Sequence, residues 1–219
     1  MNKITTSVAL AGLLLAAAVP ATAEAQHNWS IIGGQTVSPG ADVIYGEFGW
    51  PDVTLGYTHG MSHNFDLGAR MKLIYGVEGT TSTQFGMAFD VPLRWTLIDR
   101  SRVSLMFHID PGIRFYTTDP FSFGFQILPF GLTFDVRPAY ALRLGVGFDF
   151  QSDLFVSGAN NPIYSFGPQV GPFFEYLIDP HLSIGLDTRF GVNIAAASNG
   201  AGTDTRFAFR AQMLLAYRL

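Results

Sequence analysis

The chain has 219 residues, of which 48% are hydrophobic, 14% aromatic and only 14% charged, with no cysteine and a net charge of −4. A soluble domain carries about 25% charge, so this composition argues against an ordinary water-exposed globule and equally against disorder. The missing cysteines exclude disulfide scaffolds, thiolate metal sites and cysteine nucleophiles, and the acidic balance offers no basic footprint for nucleic acid.

In chain order, residues 1–25 read as a secretory signal peptide. Lys3 supplies the early positive charge, residues 6–19 form an apolar run ended by Pro20, and Ala21-Thr22-Ala23 and Ala23-Glu24-Ala25 are small-x-small cleavage sites. The expected mature chain, 26–219, contains no further apolar run long enough for a transmembrane helix. Residues 28–37 and 42–59 are expected to pair as a hairpin around Ser38-Pro39-Gly40, although Gly33-Gly34 and Trp50-Pro51 blur the alternation there.

From Phe65 onward, apolar residues alternate with small or polar ones, which is the period of a strand and not of a helix. The pattern is cleanest at Leu182, Ile184, Leu186, Thr188, Phe190, Val192 and Ile194 against Ser183, Gly185, Asp187, Arg189, Gly191 and Asn193. Eight strands follow, at 65–75, 84–98, 102–116, 121–136, 140–156, 163–178, 182–197 and 205–219, the fourth with a phase shift near Pro129. Tight turns at 61–64, 99–101, 137–139 and 179–181 alternate with looser connections at 76–83, 117–120, 157–162 and 198–204, a repeating hairpin. With the first hairpin the expected count is ten strands, eight and twelve being the alternatives. The fold class is all-β, an antiparallel up-and-down barrel forming one domain over 26–219.

Alternation alone fits a soluble barrel with an apolar core as well as a membrane barrel with an apolar exterior. Three features favour the second. The polar face carries aspartate and arginine in balance, with Asp66, Asp90, Asp110, Asp135, Asp149, Asp153, Glu175 and Asp187 against Arg70, Lys72, Arg94, Arg114, Arg143, Arg189, Arg206 and Arg210, whereas a solvated face favours lysine and glutamate. Tyr57, Trp95, Tyr140, Tyr176 and Tyr217 gather near the tight-turn ends of their strands, as an interfacial aromatic girdle does. The alternation also runs through to Leu219.

With these features the sequence resembles the outer-membrane β-barrel proteins of Gram-negative bacteria, in the small size class of the OmpA-like, OmpW-like and omptin proteins. The final strand, with Phe207, Phe209, Met213, Leu215 and Tyr217, matches the terminal pattern that the family's assembly machinery reads, while Leu219 departs from the usual terminal aromatic. The resemblance implies an exported, porin-like transmembrane barrel of the cell envelope. Its tight turns would be periplasmic and its longer loops external, and its partners would be outer-membrane lipids, the assembly machinery and at most a small solute.

Ten strands enclose a backbone radius of about 10 Å, a space that arginine side chains largely fill. Asp90, Arg94, Asp110, Arg114, Arg143, Asp149, Asp187, Arg189 and Arg210 are the candidate lumen charge network, either an interlocked plug or the lining of a thin water path. The expected role is structural or narrow-pore, with no catalytic residue, cofactor or metal. The alternatives are a barrel enzyme acting on lipid or peptide, and a surface-binding barrel acting through its outer loops. His59, His63 and His181 lie at tight-turn ends, His27 near the amino terminus, and His181-Leu182-Ser183, which resembles the His-x-Ser of lipid A deacylases, sits at the wrong end for that family's site. His108 shares the inward face with Ser104 and Asp110, but Ser104 lies roughly 13 Å along the strand, too far for a nucleophile to reach its base.

Overall fold

In the computed structural model, residues 29–76, 85–117, 121–157, 163–197 and 203–219 are described. The expected signal peptide and most of the expected longer connections (77–84, 118–120, 158–162 and 198–202) lie outside these residues. Thirteen strand segments are present: β1 (Asp42–Trp50), β2 (Asp52–Ser62), β3 (Phe65–Ile74), β4 (Gly86–Asp90), β5 (Leu93–Asp99), β6 (Val103–Ile109), β7 (Gly112–Tyr116), β8 (Ser122–Gln126), β9 (Phe130–Ala139), β10 (Leu142–Phe155), β11 (Ile163–Leu177), β12 (Leu182–Ala197) and β13 (Thr203–Arg218). The pairs β4/β5, β6/β7 and β8/β9 each make one wall strand, so the wall is ten-stranded. Every neighbouring pair is antiparallel, and β13 pairs with β1 to close the barrel.

Ten strands is the number that the alternation predicts, but the first two are partitioned differently from expectation. Residues 29–37 are not a strand. The 42–59 stretch instead reverses at Trp50-Pro51, where Phe48 pairs with Val53, and supplies both β1 and β2. The Ser38-Pro39-Gly40 reversal does form, with Ser38 and Gly40 at positive φ (77° and 72°). It turns the segment that precedes β1 into the lumen.

The apolar face points outward. Along β11 the odd positions, including Ser165, Gln169 and Glu175, are buried inside, while Tyr164, Phe166, Val170 and Phe174 line the exterior. Val170 is 52% exposed and Met213 65%, so the wall carries its large apolar side chains on the outside.

The prolines fall where the wall is irregular. Pro92, Pro111 and Pro129 interrupt three adjacent wall strands, and each still accepts a ladder bond: Gly68 N–H donates to Pro92 O at 2.8 Å, Val91 to Pro111 at 2.9 Å, and Asp110 to Pro129 at 3.1 Å. The ladder survives because proline loses only its donor. At Leu128, whose φ is +53°, the inward and outward phases exchange, as the sequence pattern near Pro129 requires, so that Ile127 and Leu128 both face out. Pro168 and Pro172 sit within β11, paired to Phe150 and Val146 of β10, and the register to β12 skips both.

A left-handed backbone at a non-glycine residue costs roughly 1 kcal/mol or more. Leu128→Gly is therefore expected to hold or raise the stability of the folded barrel by about 1 kcal/mol, and the β-branched Leu128→Val to lower it, as read from urea unfolding midpoints.

Candidate functional site: a plugged and charge-bridged lumen

The polar lumen is organised in tiers. At the tight-turn end, residues 29–37 cross the opening as a plug. Trp29 and Val37 anchor it, fully buried in a small apolar cluster with Val43, Tyr45, Leu177, Leu214 and Ala216 on the inner wall. The Trp29 indole N–H donates to Pro180 O at 2.9 Å, in the turn between β11 and β12.

Between these anchors, wall carboxylates accept from the plug's backbone and hydroxyl groups. Glu175 accepts from the Ser30 hydroxyl and from Ile31 N–H (3.1 Å), Asp135 from Gly34 N–H (2.6 Å), and Asp66 from Val37 N–H (3.2 Å). The plug's carbonyls face cations: Arg94 donates to Ser30 O at 3.0 Å and Gln35 O at 3.1 Å, and Arg143 to the Gln35 side-chain oxygen at 2.8 Å. A non-helical, non-strand segment carries unpaired amides and carbonyls, and burial demands partners for them. Here the wall charges are those partners.

Gly34 fits because it has no side chain. A Cβ there would come within 2.8 Å of the Ser104 backbone and 3.0 Å of Asp135.

The middle tier is a belt of ion pairs across the lumen. Arg70 (β3) bridges Asp90 (3.3 Å) and Asp110 (2.9 Å), and Lys72 also reaches Asp90 (2.8 Å). His108 lies between Asp110 (3.1 Å) and Asp149 (3.2 Å). Asp149 in turn holds Arg189 (3.0 Å) and Arg210 (2.7 Å), and both arginines also contact Asp187. At Gly147 the Arg189 guanidinium lies where a Cβ would be, so a larger residue there would displace that side chain. Towards the loop end, Arg114 pairs with Asp153 at 3.1 Å. Gln126, its amide turned to donate to Asp90 and accept from Arg114 at 3.2 Å, ties that pair to the belt.

The charges of the candidate network fall into groups. Asp90, Asp110, Asp149, Asp187, Arg189 and Arg210 share the belt. Arg94 and Arg143 hold the plug, and Arg114 sits above with Asp153. Arg70, Lys72 and His108 belong to the belt, and Asp66, Asp135 and Glu175 to the plug. Strand parity places all six inside, but nothing in one-dimensional spacing tells which charges meet.

A cavity of about 120 Å³ lies between plug residues Ile31 and Ile32 and the belt, enough for roughly four waters. A second space of about 220 Å³ opens above Arg114, Gln151 and Asp153. Ser104 donates to Asp135 at 2.5 Å, away from His108. Among the described residues no group of histidines and carboxylates has a metal-holding arrangement.

Tyr57, Trp95, Tyr140, Tyr176 and Tyr217 all lie on the outer face towards the tight-turn end. Trp95 stacks on Phe65 with ring centres 5.0 Å apart, and Tyr217 stacks on His181 at 6.1 Å. Tyr57 is hydrogen-bonded to Asp42, which also contacts His59 at 2.7 Å.

Comparison with protein-family models gives no match, and no curated protein is significantly similar to the chain.

Two outcomes follow from this geometry. Since the chain has no cysteine, Val37→Cys gives a single thiol; it is expected to resist maleimide in the folded barrel and to react once Gly34→Leu forces the plug from the wall. Asp149→Asn keeps the shape but strips Arg189 and Arg210 of one shared partner. The expected loss is about 3 kcal/mol of unfolding free energy, the lower end for an uncompensated buried charge because Asp187 still faces both guanidinium groups.

Proposed function

We propose that this chain is an integral outer-membrane β-barrel of a Gram-negative bacterium, exported by its leader and non-enzymatic. Its role is structural, or at most passage of small solutes along a path closed at rest. The observation that carries the membrane reading is the inverted wall, with apolar side chains outward on a closed sheet and charges inward. In hydrocarbon every backbone N–H needs a partner, and closure provides it. The outer tyrosines and Trp95 mark one interface, and the short turns beside them would be periplasmic.

The closed resting state is supported by the plug across the tight-turn end and by the ion-paired belt beyond it. Most of the charges in the candidate network pair with one another or hold the plug, which favours a structural or gated role over catalysis. The expected partners are outer-membrane lipids and the barrel assembly machinery, with a small solute only when the plug is displaced.

Val170 lies midway along β11 on the outer face. Val170→Arg is expected to cost about 2–4 kcal/mol when the barrel is folded into a lipid bilayer, measured by urea titration in vesicles; an unchanged midpoint would argue against membrane insertion. In planar bilayers the intact barrel is expected to stay silent or open rarely. Gly34→Leu combined with Asp149→Asn should then give discrete conductance steps, and silence from the folded double variant would leave the purely structural role.

A further inference from the structure

We infer that the outer wall carries a docking site for one ester-linked acyl chain of a membrane lipid, anchored at its ester end by the hydroxyl pair Ser152 and Tyr164. The inference rests on the membrane reading above and adds a specific site to it. It begins with the phase exchange at Leu128. Because Ile127 and Leu128 both face outward and Pro129 follows, the β8/β9 wall strand steps aside and leaves a dent of about 400 Å³, within the range of small-molecule pockets. Phe107, Ile109, Leu128, Phe130 and Phe150 line it. Phe130 stacks on Phe150 with ring centres 5.3 Å apart and reaches Phe107 at 6.4 Å, so the floor is a continuous aromatic surface.

The second observation is chemical. Ser152 follows Phe148 and Phe150 on the outward parity of β10, yet it is only 4% exposed, and its hydroxyl lies 2.8 Å from the hydroxyl of Tyr164 on β11. The two hydroxyls hold two protons between them and use one in their mutual bond. The other can donate to a third group. On a wall facing hydrocarbon, an O–H without a partner is costly, and the acceptor that a membrane offers at this level is a lipid ester carbonyl.

The third observation is direction. Ser152 and Tyr164 lie near the loop-end termini of β10 and β11, while Phe107 and Phe130 lie further towards mid-wall. The dent is polar at the rim and apolar towards the centre, which is the order of groups along an ester-linked lipid in the leaflet at the loop end. A free solute has no reason to match that order, and a protein segment would need its own backbone donors and acceptors satisfied along the apolar floor.

The test is photolabelling in vesicles of phosphatidylethanolamine and phosphatidylglycerol containing a trace of phospholipid with a diazirine on one acyl chain, with adducts mapped by peptide. Adducts are expected to concentrate on residues 107–109, 127–130 and 150–152 relative to Phe190 and Phe209 on the far wall. The enrichment should fall about five-fold in Ser152→Ala/Tyr164→Phe, the effect of one lost hydrogen bond. Gel migration of the unboiled variant checks that it has folded. Even labelling around the wall would overturn the site while leaving the membrane reading intact, and no labelling of the folded barrel would overturn both. Enrichment that survives the double variant would also overturn the proposal, because the anchor would then be idle.

Discussion

A charge enclosed in a narrow tube must find an opposite charge or a backbone dipole, because desolvation otherwise costs several kcal/mol per ion. That constraint organises the interior of this protein. Once the apolar face is turned outward, the alternation of a strand drives every second residue into the lumen, and many of those residues are aspartate or arginine. The belt solves the problem by sharing: Asp149 serves two guanidinium groups and an imidazole, and Asp187 serves the same two guanidinium groups again. The plug solves it with backbone. Arg94 points at the carbonyls of Ser30 and Gln35 and Asp135 at the amide of Gly34, so charges that would be poorly satisfied in an empty tube hold an irregular segment that would itself be poorly satisfied alone.

The wall faces the corresponding problem on its backbone. Three neighbouring strands are interrupted by Pro92, Pro111 and Pro129, yet the carbonyl of each proline takes a bond from the preceding wall strand. The interruption thus passes from strand to strand as a staggered line, not as a hole. At its last member the chain exchanges phase, and the outer surface departs from a smooth apolar cylinder.

Much of this was legible in the sequence because a barrel strand has one simple rule. Alternation sets parity, parity sets the inward and outward faces, and the phase shift at Pro129 is visible as a stutter in that rule. The plug was not legible by the same means. Residues 28–37 read as half of a hairpin in the sequence, although Gly33-Gly34 and the blurred alternation are what a segment buried among side chains needs. The reversal at Trp50-Pro51 was hidden because Asp42 to His59 alternates on both sides of it, so one long strand and two short ones look alike. Charge partners were illegible for a different reason: Arg94 and Asp90 sit four residues apart on the same face, and only the register of neighbouring strands sends one to the plug and the other to the belt.

The route of the plug also constrains the order in which the molecule can be built. Its first anchor, Trp29, bonds to Pro180, 151 residues away, and Ser30 bonds to Glu175, 145 residues away, while the segment leads directly into β1, the strand that meets β13 at the closing seam. Contacts of such sequence separation form late, after the intervening chain has been ordered. The amino-terminal segment therefore finds all of its partners only in a barrel whose carboxy-terminal strands are in register. Seating of the plug is in that sense a check on completion: a wall lacking β11 has no Glu175 for it to hold, and a wall misregistered at β9 has no Asp135.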